Sequence, residues 1–181
     1  MKTIHTNIEG CVLFEPTFYS DKRGTFLETF NQRAIEKALG QRVSFVQDNQ
    51  SVSHKNVLRG LHYQEGSFAQ AKIVRVVRGR VWDVVVDLRE NSATFGRHLG
   101  MELSEKNGLA LFIPKGFAHG FLSLENETVF QYKCDAYYHP DSERGIIYND
   151  PDLEIDWGVE TGELILSEKD RNLPRLKEVF P

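Results

Sequence analysis

From residue 72 onward the chain repeats one pattern, a short run of β-branched and aromatic residues closed by a turn signal. The runs cover residues 72–77, 81–88, 109–113 and 128–133, and an earlier run at 43–46 has the same character. Gly79, Asn91-Ser92, Asn107-Gly108 and Glu125-Asn126 separate or flank them. Many short strands at this spacing must bury their apolar faces against one another, so the chain is expected to form a sandwich or barrel, with a jelly roll the natural solution. One helix is predicted over 32–39. Asn31 caps it, Ile35, Ala38 and Leu39 supply its apolar face, and Gly40 ends it. Beyond Ser167 the tail reads as short helical turns around Pro174, laid over the barrel. No linker, repeat or low-complexity stretch divides the chain, so residues 1–181 are read as a single mainly β domain with a few short peripheral helices.

The bulk numbers exclude more than they assign. Apolar and charged fractions of 40% and 27% are ordinary for a globular protein. A net charge of −4 creates no global field towards nucleic acid or anionic lipid, so phosphate recognition has to be local. Cys11 and Cys134 are the two cysteines and form no zinc-type spacing. No leader pattern and no apolar run of spanning length is present, which sets the expectation of a cytoplasmic protein with no membrane partner.

Two separated motifs resemble those of cupins, whose barrels hold a metal ion. Gly108, Pro114, Gly116 and His119 keep the spacing of the second cupin motif, with Ser123 in place of its Asn. In the first motif His62 stands where a ligand histidine belongs, but Gln64 replaces its partner. Lys72, with six residues between it and Gly79, occupies the place of the ligand glutamate. A charged ammonium repels a divalent cation, so this pocket is expected to work without metal on an anionic or enolising small molecule.

Each of these residues also has an ordinary explanation. Lys72 opens an apolar strand and could be a snorkelling strand-end lysine. His62 and His119 could be hydrogen-bonded core histidines. Tyr132 could be a core tyrosine. Asp170 completes Ser167-Glu168-Lys169-Asp170, the Ser-x-x-acid form of a helix start, although glutamate is usual there. A turn alone would explain Arg23. Only their joint occurrence points to a site.

That joint occurrence resembles the dTDP-4-dehydrorhamnose 3,5-epimerase family almost end to end. The likeness runs through Asp21-Lys22-Arg23-Gly24-Thr25-Phe26-Leu27-Glu28, Gln47-Asp48-Asn49-Gln50-Ser51, and Leu58-Arg59-Gly60-Leu61-His62-Tyr63-Gln64. It continues through residues 72–87, 114–121 and 132–140, Asn149-Asp150-Pro151, and Leu166-Ser167-Glu168-Lys169-Asp170. The resemblance implies a cupin-type jelly roll that needs no cofactor, in agreement with the absence of a dinucleotide or P-loop fingerprint. It implies dTDP-4-keto-6-deoxyglucose as substrate, whose ketone acidifies the C–H bonds at C3 and C5. By the same resemblance His62 is the base, Asp170 its orienting partner, Lys72 the cation for the enolate, and Tyr132 the general acid. Arg23, Phe26, Glu28, Gln47, Asp48, Asn49, Arg59, His119, Tyr138, Glu143 and Lys169 fall on substrate-binding positions, with Tyr138 stacking on thymine. A homodimer whose N-terminal strand crosses to its partner is also implied. That would let residues as early as Arg23 reach a pocket built around His62.

The departures from the family pattern are small: Tyr148 before Asn149, Gly158 after Trp157, and Cys134 where a small residue such as Thr is frequent. Rival readings are a C3-only epimerase or ketoisomerase on the same fold, a metal-dependent cupin enzyme, and a catalytically silent nucleotide-sugar binder. Gln64 and Lys72 argue against the second, and retention of His62 and Tyr132 argues against the third.

Overall fold

A computed structural model describes the backbone of residues 1–181 and every side chain except that of Thr161. Its first strands are β1 (Lys2–His5), β2 (Val12–Glu15), β3 (Phe18–Asp21) and β4 (Gly24–Leu27), followed by the helix α1 (Gln32–Leu39). Then come β5 (Gln47–Ser53), β6 (Leu58–Gln64), β7 (Lys72–Arg78), β8 (Arg80–Asp87) and β9 (His98–Ser104). β10 (Ala110–Ile113), β11 (Phe117–Ser123), β12 (Thr128–Cys134) and β13 (Glu143–Gly145) complete the strands, and α2 (Glu168–Arg171) and α3 (Leu176–Val179) close the chain. The strands pair antiparallel into a six-stranded sheet, β1-β2-β10-β7-β12-β5, facing a five-stranded sheet, β13-β6-β11-β8-β9. This is the expected cupin-type jelly roll.

Strand alternation sorts the core into three layers. Val74 and Val76 on β7, Val81 and Val85 on β8, and Phe121 and Phe130 point between the two sheets. Phe121 and Phe130 stack there at 4.1 Å between centroids. The alternate residues of the five-stranded sheet, among them Leu61, Val84, Val86 and Ala118, face outward and are covered by Trp157, Leu164 and Leu176 of the C-terminal tail. On the outer face of the six-stranded sheet, Ile35 of α1 packs with Val12, Phe14, Ile73 and Phe112. Each large side chain buried this way contributes about 1.5–3 kcal/mol of transfer free energy.

The predicted helix has the expected ends. The Asn31 side chain accepts a hydrogen bond from the Ala34 N–H, and Gly40 takes the left-handed conformation at the C-cap. The strand expected at 43–46 is absent. Val43 and Phe45 instead pack as loop residues against the α1 layer, and the strand begins at Gln47. β5 escapes a hydrophobic reading because its sequence, Gln-Asp-Asn-Gln-Ser-Val-Ser, is polar on both faces. No helix among the described residues is long and apolar enough to cross a membrane.

Candidate active site

One end of the barrel interior opens as a cavity of about 630 Å³, within the range usual for small-molecule sites. Its walls come from both sheets. β6 supplies Arg59, His62 and Gln64, and β11 supplies His119. Across the barrel, β5, β7 and β12 supply Asn49, Lys72 and Tyr132. β6 and β11 can approach closely because Gly60 and Gly120 face each other. A Cβ on Gly60 would lie 2.6 Å from the Gly120 Cα, and Gly60 holds a φ of +117° that disfavours any side chain. This approach brings His62 and His119 into register as direct cross-strand partners.

Each histidine is backed by a buried aspartate. His62 Nε2–H donates to Asp170 Oδ1 at 2.7 Å, across 108 residues of sequence. Asp170 is 3% exposed and also accepts the Gly60 N–H at 3.4 Å, while its own N–H donates to Ser167 Oγ at 3.0 Å. Asp170 therefore serves the short helix start and the histidine together. Burial would raise its pKa, but the bond to His62 and the neighbouring donors lower it below the usual carboxylate range. With Nε2 engaged, the His62 Nδ1 is left as the basic nitrogen. His119 Nε2–H donates in the same way to Asp83 Oδ2, at 2.9 Å.

Facing these pairs, burial lowers the pKa of Lys72, opposed by Cys134, Glu143 and Asp83. Cys134 is itself pushed up by burial and stays a neutral thiol near neutral pH, which leaves Glu143, held ionised by its contacts, as a counter-charge. Burial raises the pKa of the Tyr132 hydroxyl, which therefore keeps its proton at neutral pH. At the mouth, Glu143 accepts from the Tyr138 hydroxyl at 2.9 Å and pairs with Lys169. Burial works to raise the pKa of Glu143, but those two contacts and the nearby His62 lower it.

The loop carrying Tyr138 is held by three glutamines. Gln64 accepts the His139 N–H at 2.7 Å and donates to the Phe68 carbonyl at 3.0 Å. Gln70 donates to the Ala136 carbonyl at 2.8 Å, and Gln47 accepts the Tyr138 N–H at 2.9 Å. Gln64, standing at a cupin ligand position, thus has its amide committed to the rim.

Of the residues singled out from sequence, the cavity gathers His62, Tyr132, Lys72, Asp170, Gln47, Asn49, Arg59, His119, Tyr138 and Glu143, and Lys169 joins through Glu143. Asp48 does not join them. It points to the outer face of β5, where both its oxygens accept from Lys133 at 2.8 Å. Arg23, Phe26 and Glu28 also lie elsewhere in the single chain. β3 and β4 form a separate hairpin on which Arg23 pairs with Asp21 and Phe26 is 69% exposed, and Glu28 beyond it accepts from Asn31. Sequence reasoning missed Asp83. The available signal was its parity: it shares the inward face of β8 with Val81 and Val85.

The family profile described as dTDP-4-dehydrorhamnose 3,5-epimerase matches residues 5–178. The dTDP-4-dehydrorhamnose 3,5-epimerase of Escherichia coli K12 is 54% identical over 180 residues, covering 99% of this chain and 97% of its own. A crystal structure of dTDP-6-deoxy-D-glucose-3,5-epimerase RmlC from Legionella pneumophila, in complex with dTDP-4-keto-L-rhamnose, superposes with a TM-score of 0.93 at 47% identity, covering 97% of this chain and 93% of that one. ChmJ, a 3'-monoepimerase from Streptomyces bikiniensis in complex with dTDP-quinovose, superposes at 0.90 with 38% identity, covering 95% and 86%. Fold and relatives together define a cupin-type isomerase. The chain belongs to the dTDP-4-dehydrorhamnose 3,5-epimerase family.

Proposed function

We propose that this protein converts dTDP-4-keto-6-deoxy-D-glucose to dTDP-4-keto-L-rhamnose by inverting C3 and C5. The observation that carries this reading is the pairing of His62 with buried Asp170 on one wall, opposite Lys72 and Tyr132 on the other. Inversion needs a base and an acid on opposite faces of the sugar ring. His62 stands on the five-stranded sheet and Tyr132 on the six-stranded sheet, so a ring between the sheets meets one on each face. His62 Nδ1 takes the proton alpha to the ketone, and Asp170 stabilises the resulting imidazolium through Nε2–H. The negative charge moves to the C4 oxygen, where the Lys72 ammonium stabilises the enolate. Tyr132, kept protonated by burial, returns a proton from the other face. Tyr138 at the mouth offers its ring to thymine, and Arg59 offers a guanidinium to the diphosphate.

The working unit we infer is a homodimer. The β3–β4 hairpin presents Tyr19 and Phe26 to solvent, and the outer face of the six-stranded sheet carries exposed Val52 and Val77 beyond α1. Exchange of that hairpin would bring Arg23, Phe26 and Glu28 to the partner's cavity. Residues 1–181 act as one domain in this reading, since the middle core layer shares β8 and β11 with one outer layer and β7 and β10 with the other.

A C3-only epimerase is the second reading, favoured by the fold shared with ChmJ. Incubation with dTDP-4-keto-6-deoxyglucose in D2O, followed by NMR, separates the two. Deuterium and inversion at both carbons support the double epimerase. Exchange at C3 alone supports the second reading, and no exchange removes both.

A further inference from the structure

The His62–Asp170 pair has a near copy that the proposed chemistry does not use. Asp83 lies wholly inside the barrel, 0% exposed, on the inward face of β8 between Val81 and Val85. A carboxylate among such neighbours is costly unless it is bonded. Its Oδ2 accepts from His119 Nε2, while its Oδ1 has no partner among the described residues. Asp83 does not line the cavity, but His119 does. The Nδ1 of His119 has no hydrogen-bond partner among the described residues and is not one of the buried unbonded atoms, so it faces the cavity.

An ionised carboxylate can only accept hydrogen bonds, so the nitrogen facing Asp83 must carry a proton. In the neutral ring the other nitrogen then presents a lone pair. We propose that Asp83 is a positioning residue that fixes the Nε2–H tautomer of His119, so that His119 Nδ1 accepts a hydrogen bond from a ring hydroxyl of the keto-sugar. This rests on the epimerase reading. The fixed acceptor orients the sugar between His62 and Tyr132, because His119 is the direct cross-strand partner of His62.

Asparagine in place of Asp83 preserves volume but can offer an N–H to Nε2, which turns Nδ1 into a donor. Asp83→Asn should lower kcat/KM for dTDP-4-keto-6-deoxyglucose by about 5- to 100-fold, the worth of one mispaired buried hydrogen bond. Affinity for dTDP itself should change by less than about twofold, since the nucleotide lacks the keto-sugar. In a His119→Asn background the same change should add less than about twofold, as expected if Asp83 acts only through His119. Wild-type kcat/KM in Asp83→Asn overturns the proposal. So does a full-sized effect in the His119→Asn background, which would mean that Asp83 acts through Lys72 instead.

A second measurement does not depend on the variant folding or on turnover. Long-range 1H–15N spectra of the wild-type protein report which ring nitrogen of His119 bears hydrogen, with the signal assigned by its loss in His119→Asn. Hydrogen on Nε2 alone supports the proposal, and hydrogen on Nδ1, alone or with Nε2, overturns it. If the wild-type protein left the keto-sugar unchanged, the epimerase reading would fail while the tautomer remained readable.

Discussion

A proton taken from carbon beside a ketone needs an acceptor whose cationic form is stabilised as it forms. In the proposed mechanism His62, held by Asp170 at 2.7 Å, meets that need. His62→Asn should cut solvent exchange at both C3 and C5 by roughly 10²–10⁴-fold, the usual share of a general base. Titration with dTDP should show nearly unchanged affinity, and wild-type exchange in the variant would take the base role away from His62. Asp170 also links the site to acid stability. Its folded pKa lies below its ordinary value, so the stability it contributes is complete above the unfolded pKa. That contribution fades as pH falls through the folded value. Urea unfolding of Asp170→Asn should therefore show a shallower loss of stability below about pH 4 than the wild type. An identical acid limb would mean that the carboxylate and imidazole are not coupled in solution.

β6 and β11 form a workable site only because two glycines let their backbones touch. At Gly60 a methyl group would meet the Gly120 Cα at 2.6 Å and the His119 carbonyl oxygen at 2.7 Å, on a backbone with positive φ. Gly60→Ala should cost roughly 2–4 kcal/mol through backbone strain and overpacking. Thermal unfolding reads this directly, and a midpoint within about 2 °C of wild type would mean that the strands can separate cheaply. The segment 43–46 teaches the opposite lesson. Its apolar residues resemble a strand, yet they are used as a loop under α1, because the neighbouring edge of the sheet is taken by polar β5.

The dimer proposal places Arg23 at a neighbour's nucleotide. Arg23→Ala should raise KM by about tenfold or more, the worth of a charge-assisted bond to phosphate, and leave kcat within about twofold. Light scattering should give twice the mass of one chain for both proteins. A monomer with full activity would dispose of the exchanged hairpin, and so would an Arg23→Ala variant with unaltered KM.

Much of this protein was legible along the chain because the relevant signals are local. Runs of β-branched and aromatic residues closed by turn signals marked β7, β8, β10 and β12, and Asn31 and Gly40 bounded α1. His62, Lys72 and His119 stood out by the spacing of the cupin-like motifs, and Tyr132 and Asp170 through the family resemblance. Other features depend on which distant strands meet, and no short window of sequence encodes that. Register across β6 and β11 set His62 opposite His119, and a contact spanning 108 residues made a helix-start aspartate the partner of His62. Side-chain parity within the two packed sheets turned Asp83 inward and Asp48 outward. Local composition and turn signals thus specified the elements, while the packing of the two sheets decided which polar groups share one buried space.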